Sequence, residues 1–158
     1  MKHSLTALAC FILISFAAGA IGGFFTASAI PTWYAGLAKP SFSPPNWLFG
    51  PVWALLYALM GIAAYLIFEK GMEKKSVKGA IDLFSGQLIL NVAWSIIFFG
   101  FHSPLFAFIC IILLWLAIAF TIRSFYAIDR RAAYLLAPYL LWVSFAAVLN
   151  LLIVLLNP

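Results

Sequence analysis

The chain has 158 residues, of which 66% are hydrophobic and only 8% charged. Soluble domains carry about 25% charged residues, so this surface is not clothed for water, and so heavy an apolar load also excludes intrinsic disorder. The net charge of +5 sits in short clusters between apolar runs, which points to lipid head groups and excludes a nucleic-acid face.

A helix that crosses hydrocarbon needs about 20 mainly apolar residues. Five uncharged windows meet or approach that length: Leu5–Ala29, Trp47–Phe68, Leu83–Phe101, Leu105–Ile122 and Ala132–Pro158, the last spanning over 132–156. They are continuous apolar runs without period-2 alternation, and an open sheet would leave backbone groups unpaired in lipid. The expected fold is all-α, a single domain over 1–158 built as an integral membrane bundle of five transmembrane helices.

The first window follows Lys2 and ends in Ala27-Ser28-Ala29, as a cleavable signal peptide would. Its apolar run is too long for that, and Gly19-x-x-x-Gly23 is a spacing that lets helices pack closely, so it reads as a retained helix. The loop 30–46 is the longest. It carries Pro31, Pro40, Pro44 and Pro45 with Trp33, Tyr34 and Phe42 between them. An interfacial aromatic belt and a stiff lid over a cavity both fit this pattern.

In the second window Trp53 and Tyr57 share a face. In the third, Gln87, Asn91 and Trp94 fall at i, i+4 and i+7. A side-chain amide in lipid must be bonded, and two readings stand for these amides: glue between helices, or contact with a ligand. His102, Ser103 and Pro104 alone separate the third and fourth windows, which predicts a tight helical hairpin with Pro104 in the new first turn. In the fifth window Trp142, Ala146 and Asn150 share a face beyond Pro138. Cys10 and Cys110 lie inside apolar runs and read as small buried hydrophobes. His3 and His102 are terminal and loop residues, and Glu69, Glu73, Asp82 and Asp129 all sit at helix ends or in loops. No catalytic constellation, metal-ligand spacing or mid-membrane acid is visible, which counts against an ion-coupled pump. The broad aromatic faces with a few hydrogen-bonding groups suit a site for flat lipophilic ligands.

With five spans, Lys2, Lys70, Lys74, Lys75, Lys78, Arg123, Arg130 and Arg131 share one side, and only Lys39 lies on the other. The positive-inside rule places the N-terminus in the cytoplasm and the C-terminus and the 30–46 loop outside. Helical spans favour a bacterial plasma or inner membrane.

The motif Trp33-Tyr34-x-x-Leu37-x-Lys39-Pro40-x-Phe42-x-Pro44-Pro45-x-Trp47 resembles the outer-loop signature of the translocator protein family, the tryptophan-rich sensory proteins. The resemblance continues through Pro51-Val52-Trp53 with Tyr57 and Met60-Gly61, then Gln87-Leu88-x-x-Asn91-x-x-Trp94-Ser95 with Phe98-Phe99. It ends at Pro138-Tyr139-Leu140-x-Trp142-x-x-Phe145-Ala146-x-x-Leu149-Asn150. These blocks run in order over nearly the whole chain.

The resemblance implies a five-helix bundle, commonly a homodimer, with a cavity closed by the first loop. It implies a porphyrin ligand (protoporphyrin IX or haem) with no required cofactor, and a role as sensor or transporter-like regulator. On matching positions the ligand-binding residues would be Tyr34, Pro44, Trp53, Tyr57, Asn91, Trp94, Trp142 and Ala146. Lys39 could instead meet a porphyrin propionate or be a solvated loop charge. The alternatives are a light- or oxygen-dependent porphyrin-degrading enzyme and a lipid-interacting scaffold. Animal members carry a sterol motif near the end of the fifth helix that needs a late Lys or Arg. This chain has none after Arg131, so sterol binding is not carried over.

Overall fold

The computed structural model describes residues 4–158; Lys2 and His3, named above, lie outside the described residues. Helix α1 covers Leu5–Ala29, α2 Asn46–Phe68, α3 Lys75–Ser95, α4 Pro104–Ile128 and α5 Arg130–Leu156. Among the described residues all five are long and apolar enough to cross a membrane, and no strand occurs. The molecule is thus an all-α bundle of five transmembrane helices. α1 packs on α2 and α3, α2 on α5, and α4 on both α3 and α5. The helices close a ring in the order α1, α2, α5, α4, α3.

Three helices run past their apolar windows. α3 starts at Lys75, eight residues before Leu83, α4 continues through Arg123 to Ile128, and α5 begins at Arg130. Charge ends a hydrocarbon window but not a helix, because backbone hydrogen bonds continue while Lys and Arg stems reach for the interface. Pro104 opens α4 at its first turn after a hairpin in which His102 takes a φ of 52°. Pro138 lies inside α5, which runs on through it.

The dry core fills one half of the bundle. Met60, Ala63, Ala64 and Ile67 of α2 are fully buried, and Phe84 stacks on Phe125 with centroids 6.2 Å apart. At that end Asp129 accepts from Arg131 N–H at 2.9 Å to cap α5. Its other oxygen pairs with Lys70 at 2.8 Å and Arg131 at 3.0 Å, tying the end of α2 to the α4–α5 corner. The paired cations hold the Asp129 carboxyl well below the usual carboxylate range. Cys110 is buried as expected, whereas Cys10 is exposed on α1, because a residue on the outer face of a peripheral helix meets lipid rather than protein.

Candidate ligand cavity

The other half of the bundle is hollow. A cavity of about 480 Å³ lies between α1, α2, α5, the end of α3 and the 30–46 loop, within the range of small-molecule sites. Helical spacing builds each wall. α5 contributes Trp142, Ala146, Leu149, Asn150 and Ile153, and α2 contributes Asn46, Phe49, Trp53 and Tyr57, each a single stripe of its helix. α1 lends mainly small residues, Gly19, Gly22 and Gly23 among them.

Two of those glycines permit close approach. A Cβ on Gly19 would fall on the ring of Tyr57, and one on Gly22 would come within 2.9 Å of Ser95 Oγ. Gly23 has nothing within 4 Å. The tight contacts therefore use Gly19 and Gly22, not the Gly19/Gly23 pair expected from spacing, because α1 has to meet α2 and α3 on different faces.

α3 ends in one turn of π-helix, Ile96–Gly100, with Phe101 N–H donating to Ile96 O at 2.9 Å. The wider turn brings both Phe98 and Phe99 to the cavity beside Trp94; π-turns recur at functional sites. Phe98 stacks on Trp94 at 5.3 Å and also meets Trp33 at 5.5 Å and Tyr34 at 6.3 Å. The loop is in this way seated on the π-turn. Trp33 is further stacked on His102 at 4.5 Å.

Of the residues expected at the site, Tyr34, Trp53, Tyr57, Trp94, Trp142 and Ala146 line the cavity. Pro44 does not, although Asn46, two residues on, does. Asn91 does not line it either. It sits behind the wall, where Tyr57 OH donates to its Oδ1 at 2.7 Å and its Nδ2 donates to Tyr139 OH at 3.1 Å. This amide joins three helices, so the glue reading holds for Asn91. Gln87 is buried with its Nε2 3.9 Å from Met60 Sδ, away from the cavity. Lys39 is not a free cation at the cavity mouth. Its Nζ donates to Tyr34 O at 2.7 Å and Leu37 O at 2.9 Å and lies over the Tyr34 ring at 4.8 Å. The lysine folds back onto carbonyls of its own loop, where Tyr34 O also accepts from Leu37 N–H at 3.3 Å.

Asn150 locks another wall residue. Its Oδ1 accepts from Trp94 Nε1 at 3.1 Å, and its Nδ2 donates to Pro104 O at 2.8 Å. Trp94 therefore offers a ring face, with its N–H already used. Among the described residues no hydrogen bond engages the indole N–H of Trp53 or Trp142, or Ser95 Oγ, three residues of the wall. No lining residue carries a carboxylate, imidazole, amine or thiol. Burial pushes the Tyr34 phenol up, so it stays neutral at ordinary pH. Such a wall can bind a flat apolar ring system, but it offers no conventional acid, base or nucleophile.

Sequence reasoning missed Phe49, Phe98, Phe99 and the α1 face. Phe98-Phe99 was visible as part of a motif, but nothing in a linear pattern reveals a π-turn. The glycines of α1 pointed to close packing without saying onto what.

The comparisons with known proteins agree with this architecture. The model of the TspO/MBR family matches residues 11–156. The Tryptophan-rich protein TspO of Archaeoglobus fulgidus is 49% identical over 92% of this chain and 94% of its own. The protein of the same name from Chlorobaculum tepidum is 42% identical over the full length of both. The human Translocator protein is 44% identical over 75% of this chain and 70% of its own. With five apolar spans around an aromatic cavity and matches of this extent, the chain is an integral, multi-pass membrane protein that belongs to the TspO/MBR family.

Proposed function

We propose that the protein binds a porphyrin, or a similar flat lipophilic tetrapyrrole, in the cavity beneath the loop and acts as a membrane sensor or transporter-like carrier of that ligand. One observation carries the reading: Trp53, Trp94 and Trp142 line one uncharged cavity that Tyr34 of the loop lines as well. Indole faces suit a large π-system, and the free N–H groups of Trp53 and Trp142 can orient polar substituents. The name of the human relative speaks of translocation, in keeping with a carrier role.

Titration of the purified protein with protoporphyrin IX, followed by quenching of tryptophan emission, tests this. Saturable quenching is expected, weakened by Trp142→Ala much more than by Trp115→Ala. The Trp115 indole lies outside the cavity and donates to Ser144 Oγ at 2.8 Å. Loss of one stacked ring is worth roughly 1–3 kcal/mol. Quenching that never saturates, or equal effects of the two variants, refutes the assignment.

In the same reading the loop faces outward. Lys70, Lys74, Lys75, Lys78, Arg123, Arg130 and Arg131 belong to the end away from the loop, the end that the positive-inside rule assigns to the cytoplasm. Labelling of Gly71→Cys and Pro158→Cys from each side of sealed vesicles tests it. Modification of position 158 from the cytoplasmic side alone refutes it.

A further inference from the structure

The loop is held over the cavity by a side chain that none of the site motifs includes. Asn157, just past the end of α5, forms a two-bond ring with the backbone of Ala38. Ala38 N–H donates to Asn157 Oδ1 at 2.9 Å, and Asn157 Nδ2 donates to Ala38 O at 2.9 Å. The second Nδ2 hydrogen reaches Ile153 O at 2.8 Å, and the Asn157 backbone N–H donates to the same carbonyl at 3.1 Å. The amide is thereby anchored to α5 while it grips the loop. Reversing it would set donor against donor at Ala38 N–H.

The loop's other ties to the bundle are ring contacts, of Trp33 and Tyr34 on the π-turn and of Phe42 on Phe145, and none of them is a hydrogen bond. Thr32 bonds only the preceding turn of α1, and Lys39 ties the loop to itself. Among the described residues, the Asn157–Ala38 pair makes the only hydrogen bonds that join the loop to an element other than α1 and α2, the helices it connects. Each end of the connection lies four residues from the cavity wall. Ile153 lines its wall and Tyr34, four residues before Ala38, lines it from the loop.

We propose that Asn157 is the latch of the loop, a positioning residue that keeps Tyr34 over the cavity and sets how often the water-facing side opens. For ligand release the proposal rests on the binding function inferred above; for opening of the loop it does not. A side-chain amide is required because one group must both accept from the N–H and donate to the C=O of a single residue. Asp accepts only, and Ala does neither.

The test uses the full chain in lipid nanodiscs, with Ala146→Cys in a Cys10→Ala, Cys110→Ala background. A charged methanethiosulfonate cannot cross lipid, so its rate of reaction at position 146 reads opening on the water side. Asn157→Ala and Asn157→Asp are expected to raise that rate about tenfold, the scale of two lost hydrogen bonds. Asn157→Gln, with both groups retained on a longer stem, should restore part of the difference. The melting temperature should move little in all three. In a second arm, on the native cysteines and Ala146, Asn157→Ala should speed protoporphyrin IX release by a similar factor. Equal labelling rates in wild type and Asn157→Ala overturn the latch, as does an increase accompanied by a matching loss of melting temperature. Faster labelling with unchanged porphyrin release also overturns its role at the site. A wild-type protein that binds no protoporphyrin IX refutes the ligand assignment, while the labelling arm still decides the latch.

Discussion

Gly61 is the point at which α2 crosses α1, and Gly61→Ala tests how tightly the two helices are set. A Cβ there would lie 2.6 Å from Ile12 Cα and 2.9 Å from Ile12 N. Carbon atoms settle at about 3.5–4.0 Å, so the overlap is about 1 Å. The obstructing atoms are mostly backbone, and no rotamer change clears them. α1 must lift, and overpacking of this kind costs about 1–3 kcal/mol. Each kcal/mol is worth about 2–4 °C in a chain of this size, so a fall of about 2–12 °C is expected. Gly79→Ala is the control, since a Cβ there meets nothing within 4 Å and alanine favours a helix over glycine by about 1 kcal/mol. Thermal unfolding of the purified proteins in one detergent, followed by helical circular dichroism, reads both. Because Tyr57 lies one turn before Gly61 and packs on Gly19, lifting α1 should also weaken protoporphyrin IX binding. A Gly61→Ala protein that melts with wild type and with Gly79→Ala would refute the reasoning.

Ala146→Leu should lower protoporphyrin IX affinity while the melting temperature barely moves, because Ala146 faces the cavity; normal affinity with a clearly lowered melting temperature would move it to a helix contact. Asn91→Leu leaves the hydroxyls of Tyr57 and Tyr139 unpaired at about 1–3 kcal/mol each, and adding Tyr57→Phe with Tyr139→Phe should recover much of that loss in thermal unfolding. Arg131 and Lys70 depress the folded carboxyl of Asp129, so its stabilisation is complete above the unfolded value near pH 4 and fades as pH falls through the lower folded value. Asp129→Asn keeps a capping oxygen without the charge, and its denaturation profile should lack that acid-side decline; identical wild-type and variant profiles would remove Asp129 from the account.

Hydropathy alone specified five lipid-crossing helices, because hydrocarbon admits few other ways to satisfy a backbone. It placed the helix ends badly at Lys75, Ile128 and Arg130, since it measures membrane thickness and helices continue into the interface. The faces of α2, α3 and α5 were legible from 3.6-residue spacing, and so were Trp53, Tyr57, Trp94, Trp142 and Ala146. Spacing could not tell the front of a wall from its back, and Asn91 proved to stand behind Tyr57. Only the packed helices decided which polar groups are already spent: Lys39 on its own loop, Asn150 on Trp94, Asn157 on Ala38. The last two join residues 56 and 119 positions apart, beyond the reach of any local pattern. The π-turn that delivers Phe98 and Phe99 is likewise a tertiary outcome, an extra residue accommodated where the end of α3 packs against α1 and the loop.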